Sequence, residues 1–152
     1  MTKNELFKKE NIGLTCPETF EFLSEMIGIL GYSIYDSEEV RKEVFETLKI
    51  LFELDILKIY KWYSRPELNN QQLTIEETLN HIDRIWFKKA EYPDFYNMMM
   101  FSGSDWYVKK TKSLGLTMTT NWEWFVENKI RDGDLEKWIE ENRPKNTNHN
   151  MV

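Results

Sequence analysis

FETLKILFELDILKIYKW, residues 45–62, changes its hydrophobic period within a few residues. Its first half places apolar residues at three- and four-residue spacing, which is typical of one helix face. In its second half Leu57 and Ile59 alternate with lysine and tyrosine, and residues that favour strands dominate. The segment therefore predicts a helix over 37–54, capped by Asp36 or Ser37, and then a strand over 56–63. The predicted stripe of the helix consists of Val40, Val44, Leu48, Leu51 and Phe52.

Capping residues and period changes predict the remaining elements on both sides of this segment. Thr15 with Glu18, Thr74 with Glu77 and Thr120 with Glu123 have the spacing of capping boxes, and Asp134 is a further candidate cap. The predicted helices cover 17–30, 75–89, 121–130 and 135–142, with a short helix from Asp94. The predicted strands are DWYVKKTK at 105–112 and LGLTMT at 114–119, after a turn at 102–104. We expect a predominantly helical α+β fold, with five to six helices and a small antiparallel sheet of two to three strands.

Length and composition indicate one folded domain. The chain has 152 residues, of which 41% are hydrophobic, 14% aromatic and 30% charged. A domain of this size buries roughly 70% of its unfolded surface, enough for a core without cross-links. We expect a single globular domain over 1–144 and a flexible C-terminal tail over 145–152, where the sequence is polar.

Charge and cysteine content indicate where the protein works. The net charge is −6 and the pI about 5.1, which disfavours direct contact with nucleic-acid phosphates. Cys16 is the only cysteine, so no intrachain disulfide can form, as is usual in a reducing compartment. The N-terminus has no apolar signal core, and the longest purely apolar run, 98–101, is far too short to span a membrane. We expect a cytoplasmic protein, and frequent Lys, Asn and Ile point to a bacterial source.

No catalytic, cofactor or metal motif is found in the sequence. Zinc sites need about four ligands, whereas the chain has one cysteine and two histidines. Cys16 lies at a predicted helix start, and a small enzyme that uses Cys16 with His81, or a carboxylate, is one alternative. Adjacent acids such as Glu76 and Glu77 point about 100° apart on a helix, so they do not form a catalytic pair. We expect no enzymatic activity, no cofactor and no metal.

TTNWEWFVENK, residues 119–129, places two tryptophans among acidic residues. At about 100° per residue, Trp122 falls on one arc and Trp124 about 200° away, near Glu123 and Glu127. The apolar arc consists of Trp122, Phe125, Val126 and Ile130. Two hypotheses remain for Trp124. Either the next helix covers it through Leu135, Trp138 and Ile139, or it is an exposed anchor for a partner.

A winged-helix-like regulatory or adaptor protein is a second alternative. A helix, a connection, a second helix and then a strand follow one another over 17–63. However, the helix at 37–54 that would contact DNA is rich in glutamate, so contact with phosphates through it is unfavourable. Lys109, Lys110 and Lys112 are interpreted as protection of a strand edge.

The acidic, aromatic-rich chain resembles the small immunity proteins of bacterial contact-dependent growth inhibition systems. Over 45–110 the order of helix, strand and then PDFYNMMMFSGSDWYVKK is similar to a family of bacterial proteins with an aromatic cluster, a Gly turn and a Trp-bearing strand, some encoded beside toxin genes. This resemblance implies a non-enzymatic inhibitor, either a monomer or a weak homodimer, that binds a cognate basic toxin domain, often a nuclease. Aromatic anchors rimmed by acids would carry such binding. The predicted partner-binding residues are Trp106, Tyr107, Trp122, Trp124, Asp94, Asp105, Glu123 and Glu127.

Overall fold

The helix and the strand encoded by residues 45–62 are both present in the computed structural model, which describes residues 1–145. The α-helices are α1 Lys3–Leu6, α2 Leu23–Ile29, α3 Glu38–Glu53, α4 Ile75–Ile85, α5 Asp105–Ser113, α6 Trp122–Lys129 and α7 Leu135–Asn142. The strands are β1 Leu57–Trp62 and β2 Met99–Gly103, and short 3₁₀ helices cover Ile12–Thr15, Pro66–Asn70, Tyr92–Asn97 and Arg131–Gly133. The predicted helical α+β class with a small antiparallel sheet is confirmed. The predicted tail falls mostly on 146–152, which lie outside the described residues.

Helix α3 begins and ends close to its predicted bounds. The Ser37 hydroxyl accepts a hydrogen bond from the Val40 N–H at 3.1 Å, as an N-cap should. All five residues of the predicted stripe are buried. After Leu54, Asp55 adopts a left-handed conformation with φ of 58°, which turns the chain out of the helix and into β1.

The sheet consists of β1 and β2 in antiparallel register, with Leu57 opposite Gly103 and Trp62 opposite Met99. The register shifts at a bulge between Ile59 and Lys61. The strand predicted over 56–63 is therefore confirmed, but its predicted partners are wrong. The actual partner, β2, covers Met99–Gly103, and the turn predicted at 102–104 overlaps its last two residues.

The residues predicted as a strand over 105–112 form helix α5 instead. Tyr107 and Thr111 lie four residues apart and are both fully buried, so one helix face meets the core. The Thr111 hydroxyl donates to the Tyr107 carbonyl at 2.7 Å. Burial on a helical face outweighed the strand propensity of the aromatic and β-branched residues. The strand predicted at 114–119 is also absent from the described chain, where Gly115 turns with φ of 103°.

Helix α2 is shorter than its prediction over 17–30. Glu18 has a φ of 62°, which no helix tolerates, so the predicted capping box of Thr15 and Glu18 does not form. The Thr15 hydroxyl instead donates to the Ile12 carbonyl at 2.5 Å. The helix starts at Leu23, where the Glu25 carboxylate accepts the Phe22 N–H at 3.0 Å.

Helix α4 starts as predicted. The Thr74 hydroxyl accepts the Glu77 N–H at 3.1 Å, and the Glu77 carboxylate accepts the Thr74 N–H at 2.9 Å. The helix ends at Ile85 rather than 89, because Trp86 leaves the helical conformation. Arg41 holds Trp86 there, with its guanidinium 4.2 Å from the ring centroid and 2.9 Å from the carbonyl oxygen. From Asp94, where a short helix was predicted, the chain is part of the 3₁₀ helix Tyr92–Asn97.

The two C-terminal helices match their predictions in type and place. Helix α7 is capped by Asp134, whose carboxylate accepts the Lys137 N–H at 3.1 Å, as predicted. Helix α6 is capped by Asn121 rather than by Thr120, because the Asn121 side chain reaches the Trp124 N–H at 2.9 Å. Every α-helix and both strands contribute to one cluster of buried side chains, so the described residues share a single core.

The packing of β2 against α5 gives a prediction for stability. A Cβ at Gly103 would lie 2.9 Å from Val108 Cγ2 and 3.4 Å from Pro17 Cβ, whereas a Cβ at Gly28 of α2 would meet nothing within 4 Å. We expect Gly103→Ala to lower the free energy of unfolding by about 1–3 kcal/mol through overpacking. Gly28→Ala adds the same methyl group to a helix and should raise it by about 0.5–1 kcal/mol. Urea unfolding measures both, and equal effects would contradict the packing.

Candidate functional site

The helical face analysis of α6 is confirmed by the burial of its side chains. Trp122, Phe125, Val126 and Ile130 are all buried. Trp124 is 50% exposed, while Leu135, Trp138 and Ile139, which would have covered it, are buried. Of the two hypotheses for Trp124, coverage by the next helix is therefore wrong, and an exposed tryptophan remains.

The backbone of α6 is fixed beneath Trp124. The Trp124 N–H donates to the Asn121 side chain, and the Trp124 carbonyl accepts from the side-chain amide of Asn128, both at 2.9 Å. On the buried side, the Trp122 and Phe125 rings stack with centroids 5.4 Å apart. An exposed aromatic side chain on so well fixed a helix loses little further backbone freedom when a partner covers it.

Two carboxylates accompany Trp124 on the exposed side of α6. Glu127 lies three residues after Trp124, which places both side chains on neighbouring positions of the helix surface, and Glu123 directly precedes it. Both glutamates are exposed. Neither forms an ion pair with any residue from 1 to 145. We define Trp124, Glu123 and Glu127 as the α6 surface, and its negative charge is free to attract a cationic group.

Three of the four predicted aromatic anchors are engaged inside the protein. Tyr107 is fully buried, and its hydroxyl donates to the Thr15 carbonyl at 2.6 Å. Burial raises the pKa of Tyr107 well above its ordinary value. Trp122 is 7% exposed, and its indole N–H donates to Thr15 Oγ1 at 3.1 Å. Trp106 is half-buried and donates to the Asp55 carbonyl at 2.5 Å. Tyr107 and Trp122 thus belong to the core, which corrects their assignment as surface anchors.

The two predicted aspartates lie on other elements than α6. Asp94 is half-buried within Tyr92–Asn97, where its carboxylate accepts the Glu91 N–H at 2.8 Å. Asp105 opens α5, is exposed, and pairs with the Lys58 ammonium at 2.8 Å. Asp94 has a local structural role, and Asp105 offers a charge that is already compensated.

An exposed aromatic cluster was missed in the sequence analysis. Tyr92 and Tyr96 are 47% and 44% exposed, and their hydroxyls lie 2.6 Å apart. The Tyr96 ring packs edge-on against Phe22, with centroids 4.7 Å apart. The hydrogen bond between the two hydroxyls raises the pKa of Tyr96. The four-residue spacing of the tyrosines in YPDFY was the sequence signal that could have revealed this cluster. That spacing does not reveal the contact between Tyr96 and Phe22.

Cys16 has the properties of an unreactive thiol. Burial, with a smaller effect from the Glu18 charge, raises its pKa to about 11. The thiol donates to the Pro17 carbonyl at 3.5 Å. Cys16 lines cavities of about 10 and 390 Å³, and neither is lined by a histidine. His81 packs edge-on near Trp62, with ring centroids 6.1 Å apart. The pairing of Cys16 with His81 that a cysteine hydrolase requires is not present in these cavities.

The exposed side of α3 is acidic. Glu39, Glu43 and Glu46 line a cleft of about 430 Å³ together with Glu5 and a single lysine, Lys42. The Tyr32 hydroxyl donates to Glu43, and that hydrogen bond raises the pKa of Tyr32 to about 12. The helix that a winged-helix protein would place on DNA thus carries the charge that phosphates repel.

Lysines 109, 110 and 112 lie on helix α5, so their interpretation as protection of a strand edge is wrong. All three are exposed. The only described hydrogen bond of these ammonium groups joins Lys110 to the Asn142 side chain at 3.5 Å. On a helix, the two lysines of its last turn instead interact favourably with the helix dipole.

No family model, curated protein or solved structure matches this chain. Among residues 1–145, no helix combines the length and the apolar character needed to cross a membrane. The same residues contain no group of three or more His, Cys, Asp or Glu side chains arranged to hold a metal ion.

The raised pKa of Cys16 predicts an unusual pH dependence. In unfolded protein the rate of alkylation by iodoacetamide should level off above pH 9, near the ordinary thiol pKa of 9.0. In native protein the rate should keep rising past pH 10, because the thiolate forms only near pH 11.

The same shift lowers stability at high pH. Between the two pKa values the unfolded state has lost the thiol proton and the native state keeps it, so the free energy of unfolding falls as pH rises. Urea unfolding at pH 8 and pH 10 should show a smaller decline for Cys16→Ala than for the unchanged protein. Equal declines, or a native alkylation rate that levels off near pH 9, would contradict the burial of the thiol.

Proposed function

We propose that this protein is an immunity protein, which binds a cognate toxin domain and neutralises it by protein–protein contact without catalysis. The observation that carries the proposal is the half-exposed Trp124, held on a fixed helix and accompanied by two carboxylates without ion pairs. Tryptophan is among the residues most enriched at the energetic centres of interfaces. A nuclease domain, whose own substrate requires a basic surface, is the expected kind of toxin.

The size of Trp124 is sufficient for an interface hot spot. A tryptophan side chain buries about 150–250 Å² in full, so half exposure leaves about 100 Å² for a partner. At about 25 cal/mol per Å², covering that area contributes about 2–3 kcal/mol. This is the range in which single interface residues dominate affinity.

The charge of the protein supports a basic partner. The whole chain carries −6, and the segment 121–142 has seven acidic and three basic residues, for a net −4. Lys3 pairs with Glu136 and Glu140 at 3.6 and 3.7 Å, so part of that charge is compensated within the protein. Glu123 and Glu127 remain to steer a cationic toxin surface towards Trp124.

We place the protein in the bacterial cytoplasm, where a nuclease toxin would reach its substrate. A reducing compartment keeps the single Cys16 as a thiol. In this role the protein works as a monomer or weak homodimer that meets one toxin domain, and needs neither nucleic acid nor membrane as a direct partner.

Removal of Trp124 tests the proposal directly. The gene is co-expressed with the C-terminal domain of a large secreted toxin that is encoded directly upstream. Cell growth measures protection, and the Kd between the two proteins measures affinity. We expect the unchanged protein to protect cells, and Trp124→Ala to raise Kd about 30-fold or more, as a loss of about 2 kcal/mol requires.

Phe87→Ala is the matched control, because Phe87 is also 50% exposed but follows α4. It should leave Kd within a factor of two or three. Circular dichroism checks that both variants are folded. Cells that die despite the unchanged protein would refute the immunity role, and equal losses in both variants would refute the placement of the interface at Trp124.

Charge removal at the α6 surface should slow association rather than speed dissociation. Glu123→Gln with Glu127→Gln is expected to lower the association rate several-fold at low salt, and the difference should shrink as ionic strength rises. Glu10→Gln with Glu76→Gln removes the same charge from exposed positions elsewhere. Stopped-flow kinetics would contradict steering by this surface if both pairs behaved alike, or if the rate did not depend on salt.

A further inference from the structure

The outer edge of β1 presents unpaired backbone groups. The Phe101 N–H of β2 donates to the Glu21 carbonyl at 2.7 Å, which means that it points away from β1. In an antiparallel pair, residues directly opposite each other point their N–H and C=O groups both inward or both outward. Ile59 is opposite Phe101, so its N–H and C=O point away from β2. The N–H and C=O groups of Leu57, two residues earlier, point the same way.

At one end this outer edge already has a substitute for a neighbouring strand. The Asn69 side chain accepts the Trp62 N–H at 2.8 Å and donates to the Trp62 carbonyl at 3.0 Å. An amide side chain thus makes the two hydrogen bonds that a paired strand would make. In the described part of the chain no group forms such bonds with Leu57 or Ile59, so the edge is closed at Trp62 and open before it.

A cleft of about 260 Å³ runs along this open edge. It lies on the side of Asn69, and no residue of β2 lines it. More than half of its lining is apolar: Phe52, Leu57, Ile59, Trp62, Leu68, Leu73 and Ile75. A side chain that projects from a strand added at this edge would therefore enter an apolar space beside the core.

We infer that the outer edge of β1 binds an extended segment of another protein, in which apolar residues alternate with acidic ones. Free N–H and C=O groups at two-residue spacing are satisfied by an extended backbone, as in β-strand addition. The apolar residues of that segment fill the cleft. Its acidic residues face solvent on the side of Lys58 and Lys61. Lys58 is already paired with Asp105 at 2.8 Å, so Lys61 supplies the unpaired cation.

The charges on β1 disfavour a second copy of this chain as the occupant. Symmetric pairing that uses the free groups sets Leu57 opposite Ile59 of the other copy, so Lys58 would lie directly opposite Lys58. Like charges in that position destabilise a strand pair, although the ion pair of Lys58 with Asp105 reduces the repulsion. Lys61 forms no ion pair with a described residue, and its ammonium lies 5.4 Å from the Tyr63 ring centroid. A carboxylate of the partner segment would form an ion pair with the Lys61 ammonium. The inference concerns a different element from α6 and does not rest on the immunity role.

Amide NMR with a synthetic peptide tests the site. The probe is the pentapeptide Val-Glu-Val-Glu-Val, acetylated and amidated, with Val-Lys-Val-Lys-Val as the charge control. We expect the first peptide at millimolar concentration to shift the Leu57 and Ile59 amide signals. It should also slow their hydrogen exchange at least tenfold, while exchange at Lys58, which pairs with Ser102 of β2, changes little. The lysine peptide should bind at least fivefold more weakly.

Two variants complete the test. Ile59→Pro removes an outward N–H without removing a bond to β2, and should abolish binding. Lys61→Glu changes an exposed side chain without an ion pair to a described residue and should reverse the preference between the two peptides, which keeps the test decisive if the proline variant fails to fold. The inference is overturned if Leu57 and Ile59 are protected from exchange without peptide, if that protection grows with protein concentration as self-pairing requires, or if the acidic peptide shifts neither amide.

Discussion

A buried polar junction at Thr15 holds distant parts of the chain together. Its carbonyl accepts the Tyr107 hydroxyl of α5, its hydroxyl oxygen accepts the Trp122 indole N–H of α6, and its own hydroxyl donates to the Ile12 carbonyl. These contacts join residues 92 and 107 positions apart. Thr15 is 1% exposed, so each of these polar groups would be costly to leave without a partner. The same hydroxyl is thereby unavailable for the capping box with Glu18, whose φ of 62° keeps the chain out of helix at that point.

Local signals in the sequence were sufficient wherever an element is decided by its own residues. The switch of period at residues 45–62, the cap at Ser37, the capping box of Thr74 with Glu77 and the cap at Asp134 all predicted real boundaries. These local signals failed where contacts between residues distant in the sequence determine the structure. Residues 105–112 have strand propensity, but Tyr107 and Thr111 are drawn into the core on one helix face, and the strand pairing with β1 falls to the methionine-rich segment instead. Propensity is a weak prior where burial of this size competes with it.

The same distinction between local signals and distant contacts applies to the residues of the candidate site. The angular separation of Trp122 and Trp124 follows from helix geometry alone, so the sequence could predict that one of them leaves the core. It could not predict that Tyr107 is buried or that Trp122 finds its hydrogen-bond acceptors at Ile12 and Thr15, because these acceptors lie near the N-terminus. The polar atom of each large aromatic finds a backbone acceptor inside the protein, as buried tyrosines and tryptophans usually do. Among the predicted aromatic anchors only Trp124 is exposed, whereas Trp106 is half-buried, and the choice of surface follows from that difference.

Two features of the described chain carry the proposals of partner binding, and they differ in kind. Trp124 offers the surface of its side chain, whose desolvation would provide affinity. The nearby carboxylates would steer the partner towards it. The edge of β1 offers backbone groups, which any extended chain could satisfy and which therefore need protection against the wrong partner. Asn69 shortens that edge, and Lys58 opposes pairing with a second copy. Lys61, which forms no ion pair with a described residue, would favour an acidic strand. In the two proposals the surfaces therefore take partners of opposite charge, a basic domain at Trp124 and an acidic strand beside Lys61.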